Sequence, residues 1–573
     1  MSTRSHRSAV LLLFTAGLSA CGETSGPAGA PAPGIPPASA VRPGCGSESG
    51  SAPGFLALHG YAAQLRASAG PPSFTSEPDR DEAQIAVLQD RGDLVIRRNP
   101  FDLDNTGLRF TANAAGGYDA SRLVVGVSAP GPDLGIPSGG SRPLDLPFAF
   151  PFFGRSSAQV FVNADGNLTF DAPDVGPGER GLGRFLGGPP RIAPFFAALD
   201  SSRAGTIGAQ LLPDRASFVW SGVPGGGQIN RNTFEVTLYP SGAIDFVYGG
   251  EIQTREVVVG LSPGHAFAVA AVDFSGGRTT GAPGAVAERF SESEKADLVS
   301  VSRRFLAGHP DVFEQIVIYT TRPLNPVPGT LAFEINTRND VRGIGVDANL
   351  DESANWGSGG TLASVVYMDA IDPYLEVDGF EFLGHEVGHR WLARLTFRDG
   401  AGRTSNGLLG RALVHWSFFL DSDASLLEGN RIVDRGGGRF ETVEITQGYS
   451  ALDQYAMGLR APSEVPPFFY VDEPDNFQPS RAFKFSSTPE VGVSFTGVRR
   501  DVRIEDVVAA MGPRLPEAAR APRLLRHAFV LVADETAPAT PERIRALARI
   551  RTRFEPYYRE ATGGRGAVDS TLP

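Results

Sequence analysis

Residues 385–389 read His385-Glu386-Val387-Gly388-His389, the spacing His-Glu-x-x-His. On a helix, residues four apart lie on one face, one turn apart. Both imidazoles then reach a single metal ion, with the Glu386 carboxylate beside them. Hydrolysis at zinc needs this set: two neutral nitrogen ligands and a base for the attacking water. Zinc is therefore the expected cofactor, and Glu386 the expected general base. It would take a proton from water attacking a carbonyl and pass it to the leaving amine.

Catalytic zinc usually has three protein ligands and one open position. The extended spacing His-Glu-x-x-His-x-x-Gly-x-x-His is excluded, because Leu392 and Leu395 stand at its Gly and His positions. Two candidates for the third ligand remain. His415 lies in the apolar segment 413–420, where a buried imidazole needs a partner. Asp453 lies in the segment 449–458, where Ser450 three residues earlier also makes it a capping-box residue. One is expected to bind the metal and the other to support the ligands or the substrate. Tyr455 is a candidate donor to the developing oxyanion, against plain packing on Leu452 and Leu459 at helical spacing.

The elements around these residues follow from periodicity. Phe380, Phe382, Leu383, Val387, Trp391, Leu392 and Leu395 form an apolar stripe, and Asp378-Gly379 offers a helix start. A helix is expected over 292–307, strands over 313–319, 330–335 and 363–368, and a hairpin over 431–444 turning at Gly436-Gly437-Gly438. A buried strand is expected over 527–532. A helix opened by Thr540 and Pro541 should run to about 560, its arginines forming a solvated face. Upstream, short apolar or alternating runs between 144 and 261 are broken by Gly and Pro, and Asp165-Gly166 reads as a hairpin turn. Many short strands of this kind indicate an antiparallel sandwich.

Helix, strands, then a metal-bearing helix resembles the order in zincin-type metallopeptidases. That resemblance implies a substrate peptide pairing with a strand at the cleft edge, here 363–368 or a neighbour. The segment around Asp453 is similar to the aspzincin pattern Gly-Thr-x-Asp-x-x-Tyr-Gly, though the Thr and the Tyr spacing differ. The phrases at 339–345, 385–391, 415–421, 450–459 and 561–565 resemble an uncharacterised group of secreted bacterial zinc peptidases. Further upstream, 146–154, 162–170, 192–196, 232–239 and 242–248 resemble the nidogen-like extracellular domain, which implies adhesion or substrate positioning. The expected fold class is multidomain: an N-terminal all-β sandwich-like domain at 55–275, then an α+β zincin-like metallopeptidase domain at 285–573.

The N-terminus reads as address rather than fold. Arg4, His6 and Arg7 precede an apolar run at 9–18, too short to span a bilayer. It ends in Leu18-Ser19-Ala20-Cys21, which resembles a bacterial lipobox and implies lipidation of Cys21 after removal of 1–21. Residues 22–54 are Gly, Pro, Ala and Ser, a tether that cannot bury a core. The only other cysteine is Cys45. The net charge of −12, without a basic stripe, argues against a nucleic-acid partner. The expected protein is a lipid-anchored, extracytoplasmic zinc endopeptidase of the bacterial envelope, at the outer membrane or cell surface, acting on protein or peptide. The rival expectation is a surface adhesion lipoprotein whose zincin fold is inactive or structural. A zinc hydrolase acting on a non-peptide amide is a third.

Overall fold

The run Ile85–Gln89 is apolar at consecutive positions and fully buried, as a strand covered on both faces must be. It belongs to the larger of two assemblies in the computed structural model. The structure describes residues 78–573, apart from 176–179, 251, 254, 267–268, 278–280, 282, 325–331, 479–481 and 535. The leader, Cys21, the tether and Cys45 lie outside the described residues.

The strands β1 (Arg80–Glu82), β2 (Ile85–Gln89) and β3 (Val95–Ile96) come first. After a long excursion the chain returns as β4 (Lys295–Ala296) and α1 (Leu298–Gly308). Then follow β5 (Gln315–Thr320), β6 (Phe333–Asn336), β7 (Ser364–Ala370) and α2 (Phe380–Gly388). The C-terminal part adds α3 (Ala451–Met457), β8 (Leu524–Ala533), α4 (Pro541–Ala561) and β9 (Ala567–Asp569). One sheet takes the order β1-β2-β8-β5-β7-β6, with β9 also on β8. The strands β2, β8, β5 and β7 run parallel, and β6 is antiparallel at the edge.

Side-chain alternation sorts this sheet into two faces. Ala86, Leu88, Ile316, Ile318 and Val530 pack with Val301 and Phe305 of α1. Ile85, Val87, Val317, Phe529 and Leu531 pack with Leu383 and Val387 of α2 and with Leu547 and Phe554 of α4. Helices on both faces are what a parallel sheet requires.

The excursion is the β-sandwich. A six-stranded sheet, Thr206–Leu212 to Tyr118–Leu123, faces a seven-stranded one, Val269–Ala271 to Ser141–Phe152. Phe150, Phe195, Trp220, Phe234 and Phe246 fill the space between them, and each is fully buried. Asp165-Gly166 turns between two of its strands. The sandwich core runs from Leu103 to Phe290, inside the α/β unit rather than ahead of it. The chain leaves and returns through a neck where Ile96 pairs with Lys295 and Val95 with Ala296. The tandem boundaries 55–275 and 285–573 are therefore corrected: β2 is already part of the second unit's sheet. Insertion is cheap here because the two ends of the neck are paired neighbours.

Other expectations shift by register. The helix expected over 292–307 begins at Leu298, because Lys295–Ala296 pair as a strand and Asp297 caps the helix by accepting from Ser300 N at 3.0 Å. Of the strands expected at the cleft edge, 363–368 or a neighbour, 363–368 is interior, since β7 is paired on both sides; its neighbour β6 lies at one edge of the sheet among the described residues. The 431–444 hairpin is present as Asn430–Gly436 and Arg439–Ile445, within a four-stranded antiparallel sheet. The arginines of α4 are only partly a solvated face: Arg545 and Arg559 are exposed, whereas Arg543 and Arg549 are half-buried. Arg543 forks onto both oxygens of Asp372 at 2.6 Å, and Arg549 holds Asp378 and the Tyr374 and Leu375 carbonyls. They clamp the loop leading into α2. No described helix is long and apolar enough to cross a membrane.

Candidate metal centre

The helix α2 starts after Gly379, whose left-handed φ of 64° lets the chain turn sharply into it. Leu383 and Val387 anchor one face in the core, which fixes the rotation of the helix. The opposite face presents His385 and His389, whose Nε2 atoms are 3.0 Å apart. Tyr449 donates its hydroxyl proton to the Gly384 carbonyl and holds the helix against α3's approach segment. Just past His389, Arg394 donates to its carbonyl at 2.6 Å.

His415 completes the cluster. Its Nε2 is 3.2 Å from that of His385, and the three residues form the described His/Cys/Asp/Glu group suited to a metal ion. His415 follows a tight turn in which Ala412 and Leu413 both take left-handed φ values, 53° and 58°. Such values are uncommon for L side chains and cost energy, so the turn is held by its surroundings. Trp416 N bonds to Leu427 O, and Gly410 N bonds to His415 O.

Hydrogen bonding fixes the tautomers. His385 Nδ1 lies 2.8 Å from the Leu426 carbonyl oxygen, and His415 Nδ1 lies 2.9 Å from the Arg411 carbonyl oxygen. A carbonyl oxygen only accepts, so each Nδ1 carries the proton. In the neutral rings both Nε2 atoms therefore carry lone pairs, 3.2 Å apart. Without a shared cation that contact is repulsive; a cation between them makes it attractive. Tetrahedral zinc with bonds of about 2.0–2.1 Å places its nitrogens about 3.3–3.4 Å apart, close to the observed spacing. Backbone-bonded Nδ1 atoms are also the usual way such ligands are oriented.

Burial keeps the rings neutral. It pushes His385, with His415 nearby, down to about 3. It pushes His415, with the Arg411 guanidinium, down to about 3 as well. His389 is held well below its usual range by burial and by the other two rings. Neutral imidazole is the form that binds a metal. The donor set thus fits zinc. Glu386 is fully buried on the same helix.

Asp453 is elsewhere. Its Oδ1 accepts from the Trp416 indole at 2.8 Å, and its Oδ2 accepts from Ser450 N at 2.8 Å in the capping box of α3. Burial holds its carboxyl above the usual range. It therefore braces the residue next to His415 and is not grouped with the histidines. Tyr455 points into the core, where its hydroxyl accepts from Arg514 N at 3.1 Å. It is not brought to the cluster. His527 is buried in β8, stacked on Phe554, and is likewise outside the cluster.

Two residues escaped sequence reasoning. Arg411 brings Nη2 to 3.2 Å from His415 Nε2 and pairs with Glu428, whose Oε1 is 3.1 Å from Arg411 Nε. Glu428 Oε1 is in turn 3.9 Å from His415 Nε2. The i, i+4 spacing of Arg411 and His415 was the only signal available, and in a non-helical turn it predicts nothing.

Comparison with known proteins places one part of the chain. Residues 132–289 match the family model described as NIDO related. Most of the sandwich is therefore similar to nidogen-related domains. That match lies within the inserted domain and stops short of the α/β unit. No curated protein and no solved structure matches the chain.

Proposed function

We propose that this protein is an extracytoplasmic, lipid-anchored zinc metalloendopeptidase. His385, His389 and His415 hold the metal, and Glu386 is the general base. The observation that carries this reading is the meeting of three buried imidazoles, two with unprotonated Nε2 atoms 3.2 Å apart, beside the helix that bears Glu386. A zinc ion held there would supply Lewis acidity to the scissile carbonyl. Glu386 takes the proton of the attacking water and delivers it to the leaving nitrogen. The antiparallel edge strand β6 offers its backbone to an extended peptide. The basic start, short apolar run and Cys21 support the envelope address and the anchor. The nidogen-related sandwich would hold the substrate or a neighbouring surface.

A second reading is a surface adhesion lipoprotein with a structural metal. It is favoured by the near-complete burial of the ligands, with His385 4% exposed and His389 and His415 0%. The test compares zinc-loaded wild type with Glu386→Gln on a mixture of unfolded proteins. Cleavage by wild type alone, with equal zinc in both, supports the peptidase. Equal zinc with no cleavage by either supports the structural reading.

A further inference from the structure

A cavity of about 250 Å³ opens beside the residues that follow the metal helix, and it shares no residue with the three-histidine cluster. Four arginines line it: Arg338, Arg390, Arg514 and Arg523. Two acids, Glu314 and Asp340, oppose them, so the lining carries an excess of positive charge. The remaining wall is mainly apolar, including Trp391, Met457 and Leu525.

The arginines are not equally satisfied. Arg514 donates to the Ala456 and Met457 carbonyls at 3.2 Å. Arg338 pairs with Asp340 at 3.1 Å. Arg390 differs. Its guanidinium lies over the Trp391 ring at 4.7 Å, and its Nη1 is buried with no hydrogen-bond partner among the described residues. A buried guanidinium N–H left unpaired is costly, and such groups in folded proteins call for a ligand or water. A pocket with apolar walls and a few convergent polar groups is the usual form of a small-ligand site. The planar guanidinium fork matches a carboxylate in both shape and charge.

We propose that this cavity binds a small carboxylate with an apolar body, the carboxylate meeting Arg390 and Arg523 and the body lying against Trp391 and Leu525. Arg390 is joined directly to His389, so occupancy would stiffen the C-terminal end of the metal helix. The site stands independently of zinc hydrolysis.

The test is calorimetric titration of the full chain with 3-phenylpropionate, with neutral 3-phenylpropanamide and inorganic phosphate as separate arms. A neutral chelator, 1,10-phenanthroline, is present throughout, so that ligation to a metal at the histidines gives no signal. The acid is expected to bind with a dissociation constant on the order of 0.1 mM, the amide at least about tenfold more weakly. Arg390→Met and the exposed-site variant Arg523→Ala should each weaken the acid about tenfold. Should Arg390→Met fail to fold, Arg523→Ala decides. Equal binding of acid and amide, phosphate binding without acid binding, or acid binding unchanged in the folded variants would each overturn the proposal.

Discussion

Trp416 donates its indole N–H to Asp453 across 2.8 Å, and both residues are buried. This bond ties the turn bearing His415 to the first turn of α3. It assigns the two rival ligand candidates different work, one facing the other histidines and the other bracing the chain that carries it. Asp453→Ala should remove both an indole acceptor and a helix cap, at a combined cost of about 2–4 kcal/mol. Zinc stoichiometry in the folded variant should persist with weakened affinity. His415→Ala should instead lower zinc affinity far more than stability. Metal titration alongside urea unfolding of both variants checks this; the reverse pattern would make Asp453 the ligand.

Arg411 sets a cation 3.2 Å from His415 Nε2. Like charges this close oppose metal binding even when partly offset by Glu428. Arg411→Gln is expected to tighten zinc about 3- to 10-fold. Glu428→Gln should loosen it. Competition with a chromophoric chelator reads both, and a loss of affinity in Arg411→Gln would contradict the arrangement.

Glu334, in the edge strand β6, is 1% exposed, and burial pushes its carboxyl up to about 7 from 4.5 despite Arg394 nearby. A folded-state value above the unfolded one means that the folded state favours the protonated acid. The associated stability is present below about pH 4.5 and is lost as pH rises to about 7. The difference amounts to about 3 kcal/mol. Glu334→Gln should flatten this fall. Urea midpoints at pH 5 and pH 8 measure it, and a variant that keeps the full wild-type slope would exclude Glu334 as its source.

The neck predicts that the sandwich can be removed. Ile96 pairs directly with Lys295, so a two-residue Asn-Gly turn can join them in place of 97–294. The shortened chain should fold, bind zinc, and lose the transition of the sandwich in calorimetry. Failure to bind zinc while folded would mean that the inserted domain shapes the metal site.

The helix of His385 and His389 and most strands were legible in the sequence because their signals are local. His385 and His389 need only helical spacing, and the stripe from Leu383 to Leu395 sets the buried face. The insertion was hidden, since Ile85–Gln89 looks like any short apolar strand and its partner β8 lies more than four hundred residues away. The choice between His415 and Asp453 was hidden for a related reason. It depends on which side chain a turn with two left-handed residues points inward, and neither Ala412 nor Leu413 signals that conformation. The α4 arginines misled because a basic helix face looks the same whether water or Asp372 and Asp378 meets it.

Zinc K-edge X-ray absorption on the metal-loaded full chain, with metal analysis, tests the central claim most directly. The account predicts one zinc per chain with three imidazole nitrogens at about 2.0 Å and one further light-atom ligand. It also predicts that His415→Ala lowers the imidazole count. A chain that takes up no zinc, or a shell of two imidazoles unchanged by His415→Ala, would contradict it.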